Sequence, residues 1–316
     1  MHLAGIVICP ENSMTEIHPL IRQLLATAPV VTDGAWGTQL QARGLAPGDC
    51  PDAWNLAHPE LVEQVARAYV EAGSRIILTN TFRANRLALA RHGLSHRTIE
   101  INRAGVEISR RAAQSSALVF ASMGPSGRLL ISGEISEDEL AAAFAEQAQA
   151  LAEAGADGLV VETMADLTEA RLAVSAARAT GLPVVASMVF DSGRHQDRTM
   201  MGVTPEQAAP ALVEAGADVV GANCGRGVAG YVEICRRLRT ASERPVWIKA
   251  NAGLPELIGG VTVYRMSAEE YASHVPALVD AGASFIGGCC GTSPEFIRAI
   301  RRALGSGAGA GPRLTP

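Results

Sequence analysis

The sequence predicts a single (β/α)8 barrel of the TIM type. Two observations carry that prediction. A unit of helix end, glycine and short apolar strand recurs four times, and four other apolar runs of strand type fall between the copies. Four and four make eight strands, and strands that alternate with helical segments pair in parallel. Eight such units close into a barrel. A doubly wound open sheet is the alternative that alternation alone leaves open.

The elements follow in chain order. The first ~25 residues precede the first strand and are expected to cap the barrel bottom. Pro29–Asp33 is the first strand, and Pro59–Glu71 is a helix opened by His58-Pro59. The first repeat copy stops that helix at Gly73 and runs through Ile76, Ile77 and Leu78 to Asn80. Ala117–Ser122 is the third strand, and Ser136–Glu153 a helix that ends in the second copy, Gly155 to Glu162. Asp166–Thr180 is helical, and Pro183–Val189 starts a strand on a proline, where a missing N–H is tolerated. Pro205–Glu214 leads into the third copy, Gly216 to Cys224. Val228–Ala241 is a helix, Pro245–Ala250 a strand and Ser267–Asp280 a helix. The fourth copy closes the set, from Gly282 to Cys289 and Cys290. In each copy the glycine supplies the left-handed conformation that stops the helix. The barrel is expected over 1–304, with a Gly/Ala/Pro-rich flexible tail over 305–316.

Composition agrees. Hydrophobic residues make up 48% of 316 and charged residues 19%, which specifies a packed core. Aromatics are only 4%, so the core is aliphatic, as suits helices on a parallel sheet. The net charge of −5 contains no long run of one sign, so neither nucleic acid nor a membrane surface is an expected partner. No apolar stretch nears the roughly 18–20 residues a membrane span needs. Met1–Met14 carries Pro10 and Glu11 and no basic segment before an apolar one, so no secretory leader and a cytoplasmic location are expected. The six cysteines, Cys9, Cys50, Cys224, Cys235, Cys289 and Cys290, are then unsuited to a disulfide framework.

Barrel chemistry sits at the C-terminal strand ends, and the repeat gives those ends directly. Counting from the helix-stopping glycines, one position collects Asn80, Glu162, Asn223 and Cys289, and the next collects Thr81, Thr163, Cys224 and Cys290. The first strand adds Asp33, followed by Gly34 and Ala35. A single cysteine at such a place is ordinarily a buried small hydrophobe. Cys224 in Asn-Cys-Gly together with Cys289 and Cys290 in Gly-Gly-Cys-Cys-Gly-Thr is instead a soft-ligand set, and zinc, one per chain, is the metal it suits. Cys9, Cys50 and Cys235 fall elsewhere, so one tetrahedral position stays open, the mark of a catalytic site. Three thiolates make zinc a poor activator of water and a good holder of a fourth, substrate thiolate. Asp33 and Glu162 can capture an α-ammonium group, and the backbone N–H groups of Gly34 and Ala35 a carboxylate. An amino acid with a thiol side chain fits.

These motifs, Asp33-Gly-Ala-Trp-Gly-Thr38, Thr79-Asn-Thr-Phe82, Glu162-Thr163, Gly221-Ala-Asn-Cys224-Gly225 and Gly287-Gly-Cys-Cys-Gly-Thr292, resemble those of the zinc-dependent homocysteine S-methyltransferases over roughly Val30 to Leu304. The resemblance implies that Cys224, Cys289 and Cys290 ligate zinc, that Asp33 and Glu162 contact the homocysteine amine, and that Asn223 lines the substrate site. Betaine-using members cage a quaternary ammonium with aromatic residues. Here Arg83 and Thr163 stand where tyrosines are expected, and Arg83 also disfavours a cationic sulfonium donor. The segment Thr199 to Pro205 looks more like the module of cobalamin-dependent methionine synthase, whose folate and cobalamin modules 316 residues cannot hold. The expected donor is therefore methylcobalamin or another methylcorrinoid supplied by a partner protein. S-methylmethionine or betaine is the alternative donor. A non-catalytic zinc-binding barrel and a metal-free lyase using Glu162 as base are the other readings. Lys249, on the seventh strand, makes a Schiff-base aldolase a weaker one.

Overall fold

The computed structural model describes residues 17–258 and 261–305. Cys9 and residues 306–316 of the expected tail lie outside the described residues. Eight parallel strands form the barrel: β1 (Val30–Val31), β2 (Ile76–Ile77), β3 (Leu118–Met123), β4 (Gly158–Met164), β5 (Val184–Met188), β6 (Val219–Cys224), β7 (Val246–Ala250) and β10 (Ala283–Gly288). Their order around the sheet is β1-β10-β7-β6-β5-β4-β3-β2. A parallel bridge from Thr32 to Ile76 and the bond from Arg75 N to Val31 O, 2.8 Å, join β2 to β1 and close the ring. The open-sheet alternative is excluded.

The repeat behaves as its chemistry requires. Gly73, Gly155, Gly216 and Gly282 all have φ between +90° and +112°. Only glycine adopts that region without strain, so the same residue ends four helices and turns the chain into four strands.

Successive strand residues face opposite ways, which sorts the apolar ones into two cores. Outward-facing Val31, Ile77, Val119, Leu159, Val184, Val220, Val246 and Ile286 pack under the helices. Inward-facing Val30, Ile76, Phe120, Val160, Val185, Val219, Trp247 and Phe285 fill the lower barrel. The helix Pro19–Leu25 plugs that end with Ile21 and Leu24, as expected of an N-terminal cap. Two residues further along β3, β4, β5 and β7, the inward positions turn polar: Ser122, Glu162, Ser187 and Lys249. The site is built on this floor.

Three features depart from the expected elements. Helices Thr98–Ala113 and Pro294–Ala303 complete the barrel, though neither was expected from its sequence. The first hides Thr98, Asn102, Gly105 and Ser109 among its buried positions, which blurs its apolar period. The expected helix Ser267–Asp280 is two, Ala268–Ser273 and Val275–Asp280, because Pro276 cannot continue the first. After β7 the chain makes an antiparallel hairpin, β8 (Pro255–Ile258) with β9 (Val261–Tyr264). None of the helices among the described residues is long and apolar enough to cross a membrane.

Candidate metal and substrate site

The three expected cysteines converge. The Sγ atoms of Cys224, Cys289 and Cys290 all lie within 4.8 Å of one another at the C-terminal mouth of the barrel, each partly exposed. Cys224 ends β6 in the left-handed region, φ +65°, a conformation that costs a non-glycine residue roughly 1 kcal/mol or more. Pairing with β7 holds it: Asn251 N donates to Cys224 O at 3.2 Å. Cys289 and Cys290 leave β10 in a turn anchored on both sides. Cys289 N donates to Ala250 O at 2.7 Å, Ala252 N to Cys290 O at 3.0 Å, and Thr292 Oγ1 to Cys289 O at 2.8 Å. The glycines beside them are required by close approach. A Cβ on Gly287 would run into Thr32 and the Asp33 carbonyl, and one on Gly288 into the Thr292 side chain.

The donor set fits a soft divalent cation. With no cation, thiols of Cys289 and Cys290 donate to Cys224 and hold it far below the usual thiol range, at about 3. The same contacts work against the others. The Cys224 thiolate pushes Cys289 up to about 11 and raises Cys290 further still. One negative charge is easy here and three are not, so three thiolates coexist only around a positive ion. Asn251, which the sequence reading did not single out, adds a second sign. Its Nδ2 donates to Gly225 O at 2.6 Å and the side chain also hydrogen-bonds Cys224, while its buried Oδ1 has no partner. An acceptor without a protein partner beside the thiols fits a site that takes a ligand.

Asn223 lies beside the triad, its Nδ2 4.0 Å from Cys289 Sγ, and its amide is also bonded to neighbouring protein groups. Its Oδ1 accepts from Thr163 N at 2.8 Å and Ser187 Oγ at 2.7 Å, and its Nδ2 donates to Thr163 Oγ1 at 2.6 Å. That amide pins Thr163, which has φ +62°, next to a bulge between Val161 and Met164. The bulge lies at the C-terminal end of β4, where inward-facing Glu162 reaches the mouth. Ser122 Oγ donates to Glu162 Oε1 at 2.5 Å. Burial pushes this carboxyl up to about 7, with the Lys249 ammonium pulling it back and Cys289 adding to the rise.

Asp33 is completely buried and its charge is met by protein. Lys249 Nζ donates to its Oδ1, while Trp36 Nε1 at 2.8 Å and Leu78 N at 2.7 Å donate to its Oδ2. For Lys249, burial pulls the ammonium pKa down, but Asp33 and Glu162 more than offset it. Just beyond, Ala35 N donates to Thr292 Oγ1 at 3.1 Å and Ala35 O accepts from Tyr69 at 2.6 Å. Asn80 stays outside the mouth. Its Nδ2 donates to Pro51 O and Asn55 Oδ1 and braces the loop after β1.

These are the features of a known group. A family model described as homocysteine S-methyltransferase matches residues 30–304. The chain belongs to that family. Methionine synthase of Mycobacterium tuberculosis is 31% identical over 300 residues, which are 89% of this chain and 25% of that protein. Its Mycobacterium leprae counterpart is 32% identical over 302 residues, with the same coverage. The chain thus spans about a quarter of the length of these curated relatives. Among solved structures, homocysteine methyltransferase MmuM from Escherichia coli superposes with a TM-score of 0.76 in its oxidised form and 0.75 in its metallated form. Both are 24% identical, cover 90% and 89% of this chain and 99% of their own, and share its fold. Within the family frame Cys50 and Cys235 stand apart from the triad. Cys235 is a buried helix residue whose thiol burial raises to about 12, an inert state.

The loop after β1 carries one pH-sensitive group. Burial pushes Asp52 up to about 6, although Arg83 N donates to its Oδ1 at 3.0 Å. A raised carboxyl pKa means the folded state holds the proton longer, so stability falls as pH rises from about 4 to 6 and the loss persists above. By linkage the loss is on the order of 3 kcal/mol at most. Asp52→Asn keeps the acceptor and removes the charge. Urea unfolding at pH 4 and pH 7 is expected to show a smaller fall in stability for this variant than for the parent. An unchanged pH dependence would reject this role.

Proposed function

We propose that this chain moves a methyl group onto the sulfur of homocysteine to give methionine, with Cys224, Cys289 and Cys290 holding one zinc ion. The observation that carries the reading is the convergence of three thiols at the mouth of a barrel of this family. The metallated form of the Escherichia coli enzyme supports the metal. Zinc held there supplies an open fourth position that keeps a substrate thiol ionised at neutral pH. The protein's own groups then orient the amino acid. Glu162 faces the α-ammonium, and the bend at Gly34 and Ala35 faces the carboxylate, with Thr292 sharing the Ala35 amide. Asn223 keeps Thr163 and the Glu162 bulge in place. The homocysteine sulfur contributes the electron pair of the new S–C bond, and the donor keeps the pair of the bond that breaks.

For the donor, the reading is a methylated corrinoid brought by another protein surface. Arg83 is exposed and Trp54 packs on His58, with ring centroids 4.6 Å apart, so neither walls a cationic cage. Exposed apolar side chains instead stud the loops at this face: Leu129 and Ile131 after β3, Met200 and Met201 after β5, Leu254 after β7 and Leu257 on the hairpin. Ile131, Leu257 and Met200 are 80%, 76% and 70% exposed, an arrangement suited to a macromolecular partner. Methionine synthase as a relative supports methionine as the product. The test is a donor panel with zinc-loaded protein and homocysteine. Methionine is expected with a methylcorrinoid, free at high concentration or protein-borne, and not with betaine. Saturable turnover with S-methylmethionine and none with any methylcorrinoid would replace the donor. Zinc binding with no turnover on any donor would favour a non-catalytic barrel.

A further inference from the structure

The buried pair Lys249–Asp33 lies on the floor of the site, and the sequence reading gave the two residues unrelated roles. Lys249 is 2% exposed and Asp33 not at all. Both Asp33 oxygens are engaged by three protein donors on three different segments: Lys249 of β7, Trp36 after β1, and the amide of Leu78 after β2. Glu162 is the other carboxylate facing this ammonium across the barrel interior, and its one protein donor is the neutral Ser122 hydroxyl. With Glu162 ionised, two buried carboxylates and one buried ammonium leave a single negative charge. One incoming ammonium group neutralises it.

We infer that Asp33 is a positioning residue that acts through Lys249, parking its ammonium so that Glu162 alone remains to hold the α-ammonium of the substrate. The inference rests on the homocysteine reading above and assigns the two carboxylates different work. Without the Asp33 charge, the Lys249 ammonium has one anion left to pair with, and that is Glu162. A buried cation does not stay unpaired when an anion is within reach. Lys249 then competes with the substrate for the same carboxylate. Without both charges the competition disappears, and Glu162 is free again.

The consequence is a rescue that a direct Asp33 contact would not give. The measurements are zinc content and the Kd of homocysteine by calorimetry on zinc-loaded protein. Asp33→Asn is expected to weaken homocysteine by about 10- to 150-fold, the range for a charged hydrogen bond. Lys249→Met is expected to stay within about fivefold of the parent, and so is the double variant Asp33→Asn/Lys249→Met, all with one zinc per chain. The single Asp33 variant forces the buried Lys249 ammonium to re-pair with Glu162 and is the one whose folding suffers most. The double variant leaves no unpaired cation, keeps Glu162 as the carboxylate for the substrate, and answers the question alone. A double variant as weak as Asp33→Asn, or about 10-fold or more weaker than the parent when measured alone, would overturn the inference and return Asp33 to direct ammonium contact. A Lys249→Met variant that loses homocysteine as fully as Asp33→Asn would overturn it too, by placing Lys249 on the substrate. If the parent protein binds zinc but not homocysteine, the substrate reading itself falls, and this inference with it.

Discussion

Cys290→Ala is expected to strip zinc from the protein and abolish methyl transfer, and Cys224→Ala and Cys289→Ala to do the same. In the proposed site three protein thiolates would share the whole of the metal's protein binding energy, which for zinc sites is on the order of 10 kcal/mol or more. Losing one of three removes roughly 4 kcal/mol, or about 1000-fold in affinity. It also leaves a second coordination position for water, so the substrate sulfur is no longer held in one place. The control is internal to the chain. Cys50 and Cys235 are buried away from the triad, so Cys235→Ala and Cys50→Ala are expected to retain about one zinc per chain. Metal analysis of dialysed, reduced protein reads all five variants. Full zinc and full turnover in Cys290→Ala would show that the triad is two thiols and a bystander.

Glu162→Gln should weaken homocysteine by about 10- to 150-fold while zinc stays bound, the second large effect. The swap preserves size and the Ser122 hydrogen bond to the side-chain oxygen, and removes the charge opposite the ammonium. Charged hydrogen bonds of this kind contribute roughly 1.5–3 kcal/mol. Homocysteine is the readout, and a deaminated analogue, 4-mercaptobutanoate, is the comparison. The parent should prefer homocysteine, and the variant should lose most of that preference. A variant that still discriminates as the parent does would show that another group holds the ammonium.

Much of this protein was legible in its sequence because the signals are local. The fourfold unit, with its helix stopped at Gly73, Gly155, Gly216 and Gly282, marked four strands, and the apolar runs between its copies marked the other four, since a left-handed glycine stops a helix wherever it stands. The same count placed Glu162, Asn223, Cys224, Cys289 and Cys290 on one rim, and three soft ligands there point to a metal by chemistry alone. The hairpin β8–β9 and the helix Thr98–Ala113 escaped notice for a local reason as well. One interrupts the strand–helix alternation, and the other buries polar residues where an apolar stripe was sought.

What the tertiary structure decided is how the rim residues divide their work. Lys249 and Asp33 are 216 positions apart, and no spacing rule pairs them. They meet because β7 turns Lys249 inward and the chain just past the end of β1 brings the Asp33 side chain onto it. Asn223 reads in sequence as a group at the substrate site, and only the fold adds that its amide also holds Thr163, whose backbone N–H lies at a bulge in β4. Asn251 has no motif of its own, and its unpartnered oxygen beside Cys224 exists only once β6 and β7 are paired. Local spacing determines which residues reach a strand end. The packing of eight strands decides which of them face each other, and so which charge meets protein and which is left for a ligand.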